Sequence, residues 1–232
     1  MRLEIYQGDC IEVLKTIADE SIDAVVCDPP YCSVGQASSW VNVRGLSLPN
    51  EVQFFEAWAR EILAEMLRVC RPTGAIWLAS DLDGLVAWKS AAARLGCKFK
   101  HGVWDKDRIG MGHILRNSHE FFCVIWRKGF KRFTASERDV WRHAWCPGMR
   151  GTDHQAEKPW ELLARAIRLV TPPGGTVLDP FAGSGTTGLA AQAEGFGAVL
   201  IEREPEYVEI ALARNAHLAV CKAIAGWGRG KG

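Results

Sequence analysis

The stretch Thr176–Gly188, TVLDPFAGSGTTG, decides the fold. An apolar, β-branched run of strand character stops at Asp179-Pro180, because proline offers no amide hydrogen to a sheet ladder and has a fixed φ. Two glycines, Gly183 and Gly185, then carry the chain through a tight turn into a helix beginning near Thr187. Such a strand–glycine turn–helix unit lets backbone approach a ligand closely. It also aims the helix N-terminus at an anionic group. No lysine follows in P-loop spacing, so a phosphate cradle is disfavoured. The next predicted strand, Gly197–Glu202, ends in an acid, a position that commonly takes ribose hydroxyls. The plain alternative is a tight turn capped by Ser and Thr.

Outward from this unit the chain alternates. Strands are expected over Leu3–Asp9, Ile22–Asp28, Gly74–Ser80, Lys98–Trp104 and Glu120–Trp126. Helices are expected over Cys10–Asp19, Glu51–Val69, Leu82–Leu95, from Pro159 to about Val170, over Thr187–Ala193 and over Tyr207–Leu218. Alternation of this kind predicts an α/β fold with a mostly parallel sheet covered on both faces. Ligands of such sheets bind at the carboxyl ends of the strands. Asp9, Asp28, Asp179 and Glu202 all fall at predicted strand ends, and four acids at one rim exceed what packing requires. Residues 32–50 read as a long loop, the kind that is functional or disordered in compact domains. The last residues read as a flexible tail.

The 232 residues suit one domain, and the formal net charge of +1 excludes a polycation. An anionic partner must therefore meet a local basic patch. No run is long enough to span a bilayer, and no signal-peptide pattern opens the chain. The eight cysteines do not fall in CxxC pairs, and Cys27, Cys70 and Cys123 sit in apolar runs. This points to a reducing compartment, the cytoplasm, and to no metal site; His143 and Cys146 have ligand-like spacing but no second pair nearby.

A second motif is DPPY, Asp28–Tyr31. Its plain reading is an Asp–Pro turn, but a turn does not need Tyr directly after two prolines. Together, DPPY and DPFAGSGTT resemble the amino-group DNA methyltransferases that use S-adenosylmethionine. The catalytic motif comes first and the cofactor glycines last, as in the permuted beta class. The resemblance runs from about Ile5 to Asn215 and includes GDCIEVL (Gly8–Leu14), RNSHEFF (Arg116–Phe122), HQAEKP (His154–Pro159) and Arg214.

That resemblance implies a Rossmann-like methyltransferase fold with a small target-recognition insert at residues 127–153 inside one catalytic domain, 1–232. It implies Asp28, Pro29, Pro30 and Tyr31 as the catalytic set. A carboxylate and a rigid backbone carbonyl can accept both hydrogens of an exocyclic amine and hold its lone pair toward a methyl donor, while Tyr31 stacks on an extruded base. For the cofactor, it implies Phe181, Gly183 and Gly185 packing around it, Ser184, Thr186 and Thr187 on its carboxylate, and Glu202 on its ribose. Asp9 and Cys10 line the adenine pocket, Lys158 lies near the amino-acid end, and Asp28 and Asp179 complete the set. His119 and Glu120 are expected as a structural pair.

For DNA, Arg127–Arg150 holds seven cations against Glu137 and Asp139, interleaved with Phe130, Phe133, Trp141 and Trp145. A basic, aromatic segment is the footprint of a nucleic-acid surface. The alternative is a solvated loop with aromatics tucked beneath it. Expected DNA contacts are Arg44, Lys106, Arg108, Arg116, Lys128, Lys131, Arg132, Arg138 and Arg142, with the 32–50 loop closing over the base. The resemblance also implies a homodimer. The resemblance further implies adenine N6 as the acceptor, since Asp is the commoner first letter of the motif in the adenine enzymes of this group. Cytosine N4 is the nearest alternative, and a non-catalytic DNA-binding subunit is a second. A protein-glutamine methyltransferase is disfavoured by motif order, an RNA substrate has no positive sign, and a nicotinamide oxidoreductase gives no reason for DPPY.

Overall fold

The structure is a computed structural model and describes residues 2–32, 51–110, 113–144, 158–216 and 219–223. Nine strands among the described residues form one sheet in the order β6-β4-β5-β3-β2-β7-β8-β1-β9. They are β1 (Leu3–Gln7), β2 (Ala24–Cys27), β3 (Ala75–Ser80), β4 (Lys98–Asp105), β5 (His119–Trp126), β6 (Val140–Arg142), β7 (Thr176–Asp179), β8 (Gly197–Glu202) and β9 (Ala219–Ala223). The helices are α1 (Cys10–Leu14), α2 (Glu51–Val69), α3 (Leu82–Arg94), α4 (Trp160–Val170), α5 (Thr186–Ala193) and α6 (Pro205–Arg214).

Every pairing is parallel except the two made by β5, which runs against both β3 and β4. The central strands are buried on both faces, as expected of a sheet covered by helices on two sides. Side chains alternate between those faces with period two. Val25, Cys27, Ile76 and Leu78 join a core under α1, α2 and α3, with Trp88 and Met66 fully buried. Ala24, Val26, Trp77 and Ala79 join the opposite core under α4, α5 and α6.

Three expectations change. The helix placed over Tyr207–Leu218 ends at Arg214, and Ala219–Ala223 adds a parallel strand beside β1. The buried Asn215 side chain donates to the Ala211 carbonyl at 2.8 Å and accepts from Gln192 at 2.6 Å, closing the last helical turn. The first helix is only Cys10–Leu14. Finally, the patternless segment after Arg127 contains β6, whose Trp141 is fully buried, stacks on Trp77 and packs at a tilt against Phe122. Trp141 is thus core rather than a base-stacking surface, and its tryptophan spacing belongs to the alternative of aromatics under a loop.

No helix among the described residues is long and apolar enough to cross a membrane.

Candidate active site

The parallel order brings the four acids to one rim. β1, β8, β7 and β2 are successive neighbours, and Asp9, Glu202, Asp179 and Asp28 stand at or just past their carboxyl ends. Asp9 caps α1, accepting from the Ile11 amide at 3.0 Å and the Glu12 amide at 3.3 Å. The adjacent Gly8 amide donates to the Glu202 carbonyl at 2.9 Å, which ties the two strand ends together. Glu202 receives the Gly183 amide on one oxygen and the Glu204 amide on the other, both at 2.8 Å. Cys10 is largely buried, and burial together with the neighbouring Asp9 carboxylate pushes its thiol up to about 12. It is therefore a neutral lining group rather than a nucleophile.

The glycine turn is braced from below and from the side. Asp179 is buried; it accepts from the Phe181 amide at 2.9 Å and from the Thr187 hydroxyl at 2.5 Å. Burial pushes its carboxyl up to about 7 against these two bonds. Gly183 and Gly185 have φ of 51° and 82°, the left-handed region that glycine enters without strain. A Cβ at Gly185 would also sit 2.8 Å from the Ala211 Cβ and 2.9 Å from the Asn215 amide nitrogen. Arg214 on α6 donates to the Ser184 hydroxyl at 2.9 Å and reaches the Thr186 hydroxyl at 3.4 Å. Both Ser184 and Thr187, expected on the cofactor's carboxylate, have partners at the turn. Their hydroxyls fasten the turn, to Arg214 and Asp179, and Asp179 is a brace beneath the turn. Helix α5 itself starts at Gly185 without a side-chain cap. Phe181 is half-buried with its ring 5.7 Å from that of Trp58, which extends an aromatic cluster on α2 and α3.

Beside this turn lies a second cluster, joined from distant parts of the chain. Lys158, just before α4, donates to Asp28 Oδ2 at 2.6 Å and to the Tyr31 hydroxyl at 2.8 Å. Its ammonium also lies 5.1 Å from the Tyr31 ring centroid. The Tyr31 hydroxyl donates to Glu120 Oε2 at 2.7 Å, and Lys158 stands 3.2 Å from the same oxygen. Lys106 closes the chain on Glu120 Oε1. The second Asp28 oxygen, Oδ1, is buried and has no hydrogen-bond partner among the described residues.

The electrostatics follow from this geometry. Burial would favour neutral Lys158, but Asp28 and Glu120 outweigh it and raise the ammonium above its ordinary range. Burial also pushes the Glu120 carboxyl up, yet Lys158 and Lys106 together outweigh that and hold it at about 2. Asp28 has one cation to Glu120's two, so burial prevails and its carboxyl lies above the ordinary carboxylate value. Pro29 is buried and Pro30 is exposed at the mouth.

Glu120 does not pair with His119, as the sequence suggested, because neighbours on a strand point to opposite faces. His119 lies edge-on to Phe121 in solvent, while Glu120 points with Phe122 toward α4 and enters the cluster. Its place after His119 in RNSHEFF was the available signal. Lys106, expected on DNA phosphates, pairs with Glu120 as the outer cation of the cluster, with its ammonium 5.4 Å from the Trp104 ring centroid.

The remaining basic residues divide by sheet edge. Because β5 is antiparallel, its end at Trp126 lies beside Ala75 at the start of β3. Lys128 and Lys131 follow there, and the Lys131 amide donates to the Thr73 carbonyl. They and Arg132 are exposed but sit at the edge opposite Asp28, about 20 Å away by strand length. They were expected among the DNA contacts, and the structure sets them apart from the strand ends that carry Asp28. Arg108 and Arg116, on the turn joining β4 to β5, and Arg142, at the end of β6, are exposed on the Asp28 side. Arg116 donates to the Gly110 carbonyl at 2.8 Å, Arg142 pairs with Asp105 at 3.2 Å, and Arg138 lies at the start of β6. Arg44 and the 33–50 loop lie outside the described residues, as do Trp145 and Arg150. Among the described residues no cluster of His, Cys, Asp and Glu could hold a metal.

Known proteins share this arrangement of sequence and fold. The chain is 32% identical to the type II methyltransferase M.HinfI of Haemophilus influenzae over 89% of its own length and 66% of that protein's. It is 27% identical to the DNA adenine methyltransferase YhdJ of Escherichia coli (strain K12) over 90% of its length and 81% of that protein's. The structure of an M1.HpyAVI–SAM complex, 23% identical, superposes with a TM-score of 0.67 over 91% of this chain and 98% of that one, and supports the fold. Residues 22–213, which carry DPPY, Glu120, Lys158, the glycine turn and Glu202, match the N6/N4 DNA methylase family, and the chain belongs to that family.

Proposed function

We propose that this protein transfers a methyl group from S-adenosylmethionine to the N6 amino group of adenine in DNA. The observation that carries the reading is the buried Oδ1 of Asp28, without a donor among the described residues and set beside Tyr31. A buried acceptor without a donor is costly unless a ligand supplies one, and an exocyclic amine does so.

The residues at the strand ends fit the cofactor. Gly183 and Gly185 keep the turn free of side chains, and uncapped α5 offers its N-terminus to a carboxylate. Glu202, held by two backbone amides, keeps lone pairs for ribose hydroxyls, and Asp9 and Cys10 flank it. Arg214 and Thr186 stand where a carboxylate would meet the turn. When bound, S-adenosylmethionine supplies an activated methyl group open to in-line displacement by an amine.

The chain's own part is orientation. Asp28 Oδ1 and the Pro29 carbonyl accept the two amine hydrogens, so the nitrogen lone pair is directed away from them. Ionised Asp28 stabilises positive charge growing on that nitrogen and then takes the proton it sheds. The prolines make the carbonyl rigid, and the Tyr31 ring, held through its hydroxyl, offers a face to the extruded base. Adenine N6 follows from the Asp of DPPY and agrees with the activity for which YhdJ is named; cytosine N4 uses the same acceptor geometry and is the second reading.

We further propose a single catalytic domain with target recognition carried within residues 127–153, by the part that follows Arg132, and by the β4–β5 turn, a homodimer, a cytoplasmic location, and a place in restriction–modification like that of a type II relative. The deciding experiment is transfer of labelled methyl from S-adenosylmethionine to unmethylated DNA, followed by nucleoside mass analysis. N6-methyladenine is expected, with Asp28→Ala lowering kcat by at least about 100-fold while cofactor binding is kept. N4-methylcytosine would overturn the base assignment, and label that persists unchanged in Asp28→Ala would overturn the mechanism.

A further inference from the structure

The cluster around Asp28 contains more than the amine acceptor needs. Lys158 is buried and reaches three oxygens within 3.2 Å: Asp28 Oδ2, the Tyr31 hydroxyl and Glu120 Oε2. Glu120 is in turn held by Lys106 from the other side. Two carboxylates and two ammoniums thus alternate from Asp28 through Lys158 and Glu120 to Lys106, with no net charge when all four are ionised. Lys158 lies 130 positions from Asp28 in the chain, and Glu120 lies 89 from Tyr31, so the tertiary fold alone assembles them.

We propose that Lys158 is a positioning residue for the reacting carboxylate: its ammonium pins Asp28 through Oδ2, leaving Oδ1 for the amine, and Glu120 sets how much of that ammonium Asp28 receives. This inference rests on the reading of Asp28 as the amine acceptor. It gives Lys158 a role at the carboxylate in place of one at the amino-acid end of the cofactor.

A carboxylate bonded through neither oxygen could turn about its χ2, and either oxygen could meet the amine. A 2.6 Å charge-assisted bond to one oxygen removes that freedom. Lys158 is held in place itself, because Glu120 and Tyr31 occupy its other donors. Among the described residues the groups facing Asp28 are Lys158, Glu120 and Tyr31, with Asp179 and Cys27 on the neighbouring and own strands. Of these only Lys158 is a cation. Its removal leaves half-buried Asp28 against like charge and raises its proton affinity. Removal of the Glu120 charge does the reverse, since Glu120 opposes ionisation of Asp28. The active form is the ionised one, so activity falls as pH drops through the Asp28 midpoint, and the midpoint sets the acid limb.

The two substitutions therefore shift one quantity in opposite directions, which loss of packing would not do. The test follows the Asp28 carboxyl carbon by NMR in the full chain labelled at aspartate, assigned by its loss in Asp28→Asn. Lys158→Met is expected to raise the midpoint by about one pH unit or more, a tenfold change in proton affinity. Glu120→Gln is expected to lower it, and Lys158→Arg to return it toward wild type. The acid limb of kcat for DNA methylation should move with the midpoint, while the KM for S-adenosylmethionine changes by less than about tenfold. Midpoints that move in the same direction, or not at all, would overturn the proposal. So would a Lys158→Met defect confined to that KM. If the wild-type protein methylates no DNA, the functional reading fails, and the NMR midpoints still decide the role of Lys158.

Discussion

Asp28 and Asp179 show how two acids on neighbouring strands acquire different work. Asp28 has one oxygen on Lys158 and one without a partner among the described residues, while both oxygens of Asp179 are bonded inside the glycine turn. The carboxyl of Asp179 is pushed up to about 7. A group with a raised native pKa contributes stability that is full below its unfolded value and is lost as pH rises toward the native one. Stability should therefore fall between about pH 4 and pH 7 through this residue. Asp179→Asn keeps the Phe181 bond on its oxygen and can donate its amide to a turned Thr187 hydroxyl, so its stability relative to wild type should grow from pH 5 to pH 8 in chemical denaturation; parallel profiles would refute the assignment. Tyr31 separates two roles in the same way. Tyr31→Phe loses the hydroxyl bonds to Glu120 and Lys158 but keeps the ring, and should lower kcat by up to about tenfold, the worth of roughly 1.4 kcal/mol. Tyr31→Ala also loses base stacking, worth about 1–3 kcal/mol per base, and should raise the KM for DNA. Equal kinetics for the two variants would mean that the ring does not touch the base.

The turn between β7 and α5 depends on α6 as much as on its own glycines. Arg214 and Asn215 reach it from α6, and Gly185 leaves only the space that Ala211 and Asn215 do not fill. Gly185→Ala puts an L residue at φ 82°, which costs about 1–2 kcal/mol, and drives a methyl group into α6. The melting temperature should fall by several degrees, on the order of 2–4 °C per kcal/mol. Calorimetric titration with S-adenosylmethionine should show a larger loss than destabilisation alone explains. Unchanged affinity would mean that the turn does not line the cofactor site. The glycines of this turn were legible in the sequence because a positive φ has few residue solutions. The bracing by Arg214 was legible only as a motif position, since nothing in the order of residues says that α6 packs on the turn. The strand β9 was hidden for a related reason. Its residues suit a helix, and only the open edge of β1 gives them a ladder to join.

Across the molecule, the antiparallel direction of β5 divides the basic residues into two edges. Arg108, Arg116 and Arg142 stand on the side of Asp28, and Lys128, Lys131 and Arg132 stand opposite. Replacing Arg108 and Arg116 by Gln should weaken DNA binding and reduce the slope of log K against log salt by about 0.9 for each phosphate no longer neutralised. The same change at Lys128 and Lys131 should leave that slope nearly unaltered. Equal effects at both edges would place DNA across the far edge as well, and so contradict this division.

The order of residues was enough to read the α/β class, the parallel core, the four acids at strand ends, and the two motifs that mark the family. These are local properties: periodicity, proline stops and glycine turns depend on neighbours along the chain. Only the tertiary structure decided that Lys158 grips Asp28, that Glu120 belongs to the site, that Trp141 is core, and that part of the basic segment faces away. Those outcomes depend on strand direction and on contacts between residues far apart in the chain. An antiparallel strand reverses which end of a segment meets the rim, and a charge near the site finds its partner only once the sheet has been assembled.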